Sequence, residues 1–330
     1  MSWLPGKKYF EGGICTVTRN MANQVVIVTG SSSGIGLQTV KGLAERNATI
    51  VLATRNKAKT EPLMDEIKRE TGNANVDFIP LDLIDLKSVK TFAQEFKTKY
   101  NHLDVLINNA AITYLRSAKT FTKDGFEESF GTTYIGHYYL TRLLLDTIRK
   151  TKNSRIIFSS TKSATKTPLD WEDLNAEKKF SNLAASVQGK RSSLMFASEL
   201  QRRLESDSVK VVSFHPGWVK TEGRETADNP TLVKIMSKIF GFFMLYFGKN
   251  AAQGAQTSLY CTLEDWDKLK KAGYYSDCEE FNYPPQEDLR PENTQKLWDL
   301  TDKWIKEKLG DEATFSYEKN ISYEKVAIFL

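Results

Sequence analysis

The segment Thr29-Gly-Ser-Ser-Ser-Gly-Ile-Gly36 decides the fold of this 330-residue chain. It follows the apolar, β-branched run of residues 24–29, which is typical of a buried parallel strand, and it precedes apolar residues at helical spacing. Gly30 permits a tight turn, Gly34 lets the backbone approach a pyrophosphate, and Gly36 allows the helix to pack closely on the strand. The helix N-terminus then faces the phosphate charge, so the unit predicts a dinucleotide-binding loop. The loop residues that we expect to contact the nucleotide are Gly30, Ser32, Ser33, Gly34, Ile35 and Gly36.

Strand and helix patterns alternate along the rest of the chain. Six more strands are predicted, at residues 49–53, 76–81, 104–107, 155–159, 209–214 and 273–275. Helices are predicted at residues 34–46, 62–71, 86–100, 125–150, 183–206, 251–263 and 291–309. This order is typical of the α/β class, as a Rossmann-type doubly wound parallel sheet of about seven strands with helices on both faces.

The chain is predicted to form one domain with short additions. We expect an N-terminal arm (residues 1–22), a single dinucleotide-binding domain (residues 23–309) and a C-terminal tail (residues 310–330). An apolar lid or insertion is expected at residues 228–250. The arm has no secretory h-region, and it is compatible with a mitochondrial targeting segment or with a packed arm.

Composition excludes several classes of function. Apolar residues make up 40% and charged residues 26%, as in ordinary soluble globular proteins. The net charge of +5 is spread among mixed signs without a basic stripe, so nucleic acid is not an expected partner. The three cysteines lack disulfide and metal-ligand spacing, which predicts no metal site and an intracellular, reducing compartment.

An apolar block runs from Ile239 to Phe247, between Lys238 and Lys249. It is too short to span a bilayer, so we predict no transmembrane segment. Three interpretations stay open: it lies on a membrane surface, it binds a protein partner, or it is a buried lid helix that lines a lipophilic cleft. The first would place the protein at a mitochondrial, endoplasmic-reticulum or lipid-droplet surface.

Several motifs in the expected order resemble the short-chain dehydrogenase/reductase family. The spacing of the three glycines is one, and Asn108-Asn-Ala-Ala111 is similar to the family's Asn-Asn-Ala-Gly motif. Asp82 matches the acidic residue that approaches the adenine, and His215-Pro-Gly-Trp-Val-Lys-Thr221 resembles the segment that covers the nicotinamide. A narrower resemblance, to the retinol-dehydrogenase-like branch, rests on Thr167–Asn175, on Phe196–Leu204 and on residues 253–260 and 273–278. The resemblance implies that the cofactor also contacts Asp82, Asn109, Ala110, Lys190, Pro216, Gly217, Val219 and Thr221.

The choice of cofactor depends on the charge after the second strand. Sites specific for NAD place an acidic residue there to bind the ribose 2′-hydroxyl. Here the strand ends in Ala53-Thr54-Arg55. A guanidinium can pair with the 2′-phosphate of NADP through two hydrogen bonds. We therefore predict NADP(H), with Arg55 as the residue that reads the phosphate.

The resemblance also implies a catalytic set in which two positions are altered. Ser160 and Lys190 stand where the family has its Ser and Lys. The family's Tyr lies four residues before the Lys, because that spacing puts both on one helix face. Ser186 occupies this position, and Thr133 occupies that of the family's Asn. General acid–base catalysis is worth about 10² to 10⁴-fold, so its loss should leave little activity.

Two functions follow from this pattern. The first is an active NADP-dependent oxidoreductase on a lipophilic carbonyl or alcohol, such as a retinoid or an aldehyde, with a relay rebuilt around Ser160, Ser186 and Lys190. The second is a catalytically impaired, NADP(H)-binding protein that serves as a structural or sensing subunit of a larger assembly. The double loss of Tyr and Asn favours the second. His137 and His215 are interpreted as structural.

Overall fold

The computed structural model describes residues 12–112, 118–219, 248–283 and 286–315. Its eight strands are β1 (Val25–Thr29), β2 (Thr49–Thr54), β3 (Val76–Pro80), β4 (Val105–Asn108), β5 (Ser154–Ser159), β6 (Val209–His215), β7 (Tyr274–Ser276) and β8 (Glu279–Glu280). Six α-helices are α1 (Gly34–Ala44), α2 (Lys57–Thr71), α3 (Leu86–Lys99), α5 (Asn182–Arg203), α6 (Ala251–Leu263) and α7 (Pro291–Leu309). Between α3 and α5, the composite helix α4 joins Glu128–Phe130, a π-helical turn Gly131–Ile135 and Gly136–Arg149.

The strands form one sheet in the order β3-β2-β1-β4-β5-β6-β7-β8. Neighbours from β3 to β7 pair in parallel, which confirms the doubly wound architecture. The prediction of seven strands was one short, because β8 is a two-residue antiparallel strand that turns back on β7. The strand order reverses between β1 and β4, and this reversal is the point where such sheets bind ligands.

Helices cover both faces of the sheet, which explains why the strands are apolar throughout. Alternate residues of β1 face opposite sides: Ile27 belongs to the core beneath α3, α4, α5 and α7, whereas Val26 and Val28 belong to the core beneath α1, α2 and α6. All three are fully buried. Burying each such side chain contributes about 1.5–3 kcal/mol.

Two helices begin several residues away from their predicted starts. Helix α2 begins at Lys57 rather than at residue 62, because the Asn56 side chain accepts a hydrogen bond from the Lys59 amide (3.0 Å) and caps a turn that precedes Pro62. Helix α4 begins at Glu128 rather than at residue 125, and the π-helical turn within it was not predicted. Periodicity alone does not reveal a single wider turn.

Arg155 shows how the sheet is tied to α6. Its buried guanidinium donates to the carbonyls of Cys261 (2.9 Å), Thr262 (2.5 Å) and Glu264 (2.5 Å), at the C-terminal end of that helix. These carbonyls have no amide partner further along the helix, and the cation also faces the negative end of the helix dipole.

We expect Arg155→Met to lower the free energy of unfolding by about 3 kcal/mol or more, because it leaves buried carbonyls without a hydrogen-bond donor. Urea unfolding followed by circular dichroism measures the loss. Arg149→Met is the control, because it removes a partly exposed ion pair with Asp207 that is worth no more than about 1 kcal/mol. Equal losses in the two variants would contradict the prediction.

Candidate functional site

The glycine-rich loop lies between the C-terminal end of β1 and the start of α1. Gly30 has φ +64°, and a Cβ there would lie 2.9 Å from that of Ala110. At Gly36, a Cβ would lie 2.5 Å from the Gly30 carbonyl oxygen, so the helix requires glycine to approach the loop. At Gly34, with φ +56°, a Cβ would meet no atom within 4 Å. The loop is therefore packed tightly on the protein side and open beside Gly34.

The loop also presents groups that suit a phosphate. The residue before α1, Ser33, makes no side-chain capping bond, so the first amides of α1 are not bonded by it. The hydroxyl of Ser31 is buried and has no hydrogen-bond partner among the described residues. Free donors at a helix N-terminus form a natural anion site. The residues present thus fit a pyrophosphate.

Thr29 holds the loop to the Asn108-Asn-Ala-Ala111 motif. Its hydroxyl oxygen accepts hydrogen bonds from the backbone amides of Asn109 (2.9 Å) and Ala110 (3.0 Å). The Asn109 side chain in turn donates to the Thr29 carbonyl (2.9 Å). Asn108 instead points into the fold and donates to Thr141 (3.1 Å). Thr29 was not predicted as a site residue, although a hydroxyl at a strand end beside the loop was a usable signal.

His137 completes this network from helix α4. Its Nδ1 lies 3.0 Å from the Thr133 carbonyl, which can only accept, so Nδ1 carries the proton. Its Nε2 then accepts from the Thr29 hydroxyl at 2.8 Å. Burial lowers the pKa of His137 to about 3, so the ring stays neutral. Both nitrogens are used within the fold, which agrees with a structural role.

His215, at the end of β6, is also buried. Burial, with a smaller effect from Lys162, lowers its pKa to about 4. Its Nδ1 has no hydrogen-bond partner among the described residues. A ring held neutral in this way is not a proton donor near neutral pH.

Lys190 lies on α5, facing the end of β5. Its ammonium donates to the Ser159 carbonyl (2.7 Å) and is 3.3 Å from the Ser159 hydroxyl. Burial lowers the pKa of Lys190 to about 7. Since an ammonium has three donors, one N–H is not used by these contacts. Ser160 is adjacent, and its hydroxyl makes a long contact of 3.5 Å with the Lys190 carbonyl.

The two altered positions lie near Lys190. Ser186 is half-buried one helical turn earlier on α5. Thr133 is buried in the π-helical turn of α4, and its hydroxyl has no hydrogen-bond partner among the described residues. The two helices touch here, since a Cβ at Gly189 would lie 3.2 Å from that of Thr133. The structure thus brings Ser160, Lys190, Ser186 and Thr133 to one region.

The remaining predicted residues are placed around this region or fall outside the described ranges. Arg55 is exposed immediately after β2, and Asp82 follows β3. Pro216, Gly217 and Val219 follow β6, where Gly217 has φ +90°. Thr221, the block Ile239–Phe247, most of the 228–250 insertion and most of the terminal arm and tail lie outside the described residues. Among the helices that are described, none is long and apolar enough to cross a bilayer, and no group of metal-ligating side chains is found there.

The lowered pKa of Lys190 implies that the stability of the fold depends on pH. A pKa lowered from 10.5 to about 7 in the folded state means that folding loses stability as pH falls from about 10.5 to 7. We therefore expect Lys190→Met to raise the melting temperature of the nucleotide-free protein at pH 7, by an amount that shrinks as pH approaches 10. Thermal melts of both proteins at pH 7 and 9.5 measure this difference. A gain that does not depend on pH would show that the buried amine is not the cause.

Comparisons with known proteins agree with this geometry. The family model for short chain dehydrogenases matches residues 24–231. Human retinol dehydrogenase 11 is 36% identical over 296 residues, which cover 89% of this chain and 90% of that protein. A solved structure of an uncharacterized protein from Mycobacterium paratuberculosis matches with a TM-score of 0.66 and 27% identity, covering 88% of this chain and 95% of that one.

A third similar structure is described as an NADPH-bound short chain oxidoreductase from Pseudomonas aeruginosa PAO1 with an atypical catalytic center. It matches with a TM-score of 0.60 and covers 78% of this chain and 95% of that one. At 14% identity, this likeness supports the fold alone.

Proposed function

Because this chain belongs to the short-chain dehydrogenase family, we propose that it binds NADP(H) but transfers hydride poorly, and that it serves as a structural or sensing subunit. One observation carries the proposal. The residue one turn before Lys190 on α5 is Ser186, where a phenol is needed as proton donor. A serine hydroxyl lies closer to the helix backbone than a phenol does, and it is far harder to ionise. The nucleotide-binding loop, in contrast, is intact.

The glycine-rich loop would hold the pyrophosphate at the N-terminus of α1. Lys190 would offer its remaining N–H to the nicotinamide ribose, and Pro216 and Gly217 would cover the ring. Asp82 would approach the adenine, while Asn109 and Ala110 would form the adjacent wall. The cofactor supplies a hydride when it is bound. The chain's own contribution is to hold and orient it.

We propose NADP(H) rather than NAD(H) because of charge. Arg55 is exposed at the end of β2, where NAD-specific proteins carry a carboxylate for the ribose hydroxyl. A guanidinium there attracts the 2′-phosphate and offers two parallel donors.

The second candidate function is an active oxidoreductase on a lipophilic carbonyl or alcohol, such as an aldehyde or a retinoid. Two observations favour it: the similarity to retinol dehydrogenase 11 and the pKa of Lys190, which is about 7. An amine with that pKa can exchange a proton near neutral pH. A water held between Ser186 and Lys190 would then replace the phenol.

One experiment separates these functions. NADPH is titrated into the purified protein and its fluorescence followed, and turnover is assayed with a panel of aldehydes and retinoids. Binding without turnover supports the nucleotide-holding role. Turnover at the ordinary rate of the family would overturn it in favour of the enzyme, and absence of NADPH binding would overturn both.

The role in an assembly rests on the sequence of the apolar block Ile239–Phe247, which we propose to contact a partner or a membrane surface in a mitochondrial or endoplasmic-reticulum setting. Lys249, expected as a flanking surface cation, is buried and paired with Asp277, so it cannot serve a lipid headgroup. Co-sedimentation with phosphatidylcholine–cardiolipin vesicles and size-exclusion of the natively isolated protein test this role. A monomeric protein that does not co-sediment with the vesicles would contradict the proposed role.

A further inference from the structure

The buried ammonium of Lys249 lies where three segments distant in sequence meet: the chain after β6, the start of the N-terminal arm and the turn after β7. The side chain of Lys249 is 7% exposed, and it pairs with the carboxylate of Asp277, just after β7. Lys162, after β5, approaches the other oxygen of the same carboxylate at 3.8 Å. Burial tends to raise the pKa of Asp277, but the hydrogen bonds from Lys249 and Ser276 outweigh it and lower the pKa. The carboxylate is therefore ionised and holds Lys249 in place.

The first of these segments is the one that follows β6. At Gly217, with φ +90°, a Cβ would lie 2.7–2.9 Å from the last carbons and the nitrogen of the Lys249 side chain. The Lys249 backbone amide also donates to the Trp218 carbonyl at 2.8 Å, and Val219 pairs with Lys249 as a parallel bridge. Both the side chain and the backbone of Lys249 therefore support residues 217–219.

The second segment is the described start of the N-terminal arm, at Gly12 and Gly13. A Cβ at Gly12, with φ +72°, would lie 2.1 Å from the Lys249 nitrogen. At Gly13, a Cβ would lie 1.7 Å from the carbonyl oxygen of Asp277. At Gly13 the contact is with backbone atoms, so that position excludes a side chain, whereas at Gly12 it is the positive φ that favours glycine. We call the contact of Gly12, Gly13, Gly217, Lys249 and Asp277 the Lys249 junction.

We propose that Lys249 is a positioning residue for the nicotinamide half of the bound nucleotide, and that the N-terminal arm is coupled to that half through the Lys249 junction. This inference rests on the proposed binding of NADP(H). Residues 216–219 have no strand of the sheet beneath them, so their position depends on what packs against them. The junction supplies that support, and the arm covers it. The adenine half would be held by Arg55 after β2 and Asp82 after β3, which are not part of the junction.

The test compares two ligands. NADPH contains the nicotinamide, whereas 2′,5′-ADP contains only the adenine half with its 2′-phosphate. We expect Lys249→Met to raise the dissociation constant of NADPH at least about tenfold, which corresponds to about 1.4 kcal/mol, and to leave that of 2′,5′-ADP unchanged. Lys249→Arg, which retains the charge, should recover part of the loss.

The arm is tested by a matched pair of variants. Gly13→Ala should weaken the binding of NADPH but not that of 2′,5′-ADP, because the added Cβ displaces the arm from Asp277. Ile14→Ala is the control. This neighbouring side chain is 73% exposed, so its loss should leave the affinity for both ligands unchanged. Stopped-flow release of NADPH gives the rate, and thermal melts report global stability.

The outcomes separate the two proposals. If the wild-type protein binds neither ligand, the proposed function fails. If it binds both and the variants weaken both equally, Lys249 has only a structural role and the positioning inference is wrong. If Gly13→Ala leaves NADPH release unchanged while Lys249→Met accelerates it, the coupling to the arm is wrong.

Discussion

A Ser186→Tyr, Thr133→Asn variant is expected to reduce aldehydes with NADPH at least about 10²-fold faster than the wild-type chain, because general acid catalysis is worth about 10² to 10⁴-fold. Tyrosine at position 186 would place its phenol one turn from Lys190, on the same face of α5. The nearby ammonium would favour the ionised phenol and bring its pKa from about 10 toward neutral. Ser160 already lies beside the Lys190 backbone, and in the proposed reaction it would orient the substrate oxygen.

The measurement is the initial rate of NADPH oxidation at saturating cofactor. The matched control is Ser186→Phe with the same Thr133→Asn change, which adds the ring without the hydroxyl. Activity in the tyrosine variant alone identifies proton transfer as the lost step. Equal rates in both variants would indicate that the ring improves substrate binding. No gain in either variant, with NADPH still bound, would show that more than the relay has been lost.

Arg55→Asp is expected to weaken NADPH binding by about 10²-fold and to make NADH the better ligand. The variant loses charge-assisted hydrogen bonds, worth about 1.5–3 kcal/mol each, and places a carboxylate against the 2′-phosphate. In NADH the same carboxylate can accept from the ribose 2′-hydroxyl. Fluorescence titration with both cofactors measures the reversal.

Arg69→Asp is the control for Arg55→Asp. It makes the same change of charge at an exposed position near the far end of α2, so it reports the effect of net charge alone. An unchanged preference in Arg55→Asp would mean that Arg55 does not face the phosphate. A shift of equal size in Arg69→Asp would attribute the preference to the general field of the protein.

The sheet and its nucleotide loop could be predicted from sequence because their signals are local. Buried parallel strands are continuous apolar runs, and the turn at Gly30 requires a positive φ, which few other residues adopt. Ser186 could be identified because the spacing to Lys190 is fixed by one helical turn. Each of these inferences needs only neighbouring residues.

The features that escaped prediction depend on contacts between distant segments. The π-helical turn at Gly131–Ile135 leaves no mark in the sequence periodicity, and the strand β8 is too short to show a pattern. The Lys249 junction joins residues 12, 13, 217, 249 and 277, so no window of sequence contains it. Lys249 looked like a surface cation for the same reason.

The bonds made by His137 and Lys190 bear on how a chain of this kind can change its chemistry. His137 donates to the backbone carbonyl of Thr133, and Lys190 donates to the backbone carbonyl of Ser159. A carbonyl is present whatever the side chain is, so exchanging the residues at 133 and 186 removes none of the bonds that hold the loop. The side chains at positions 133 and 186 can therefore be exchanged while both bonds are retained. In this fold, the bonds that orient His137 and Lys190 are independent of the side chains at the two positions where proton transfer would be gained or lost.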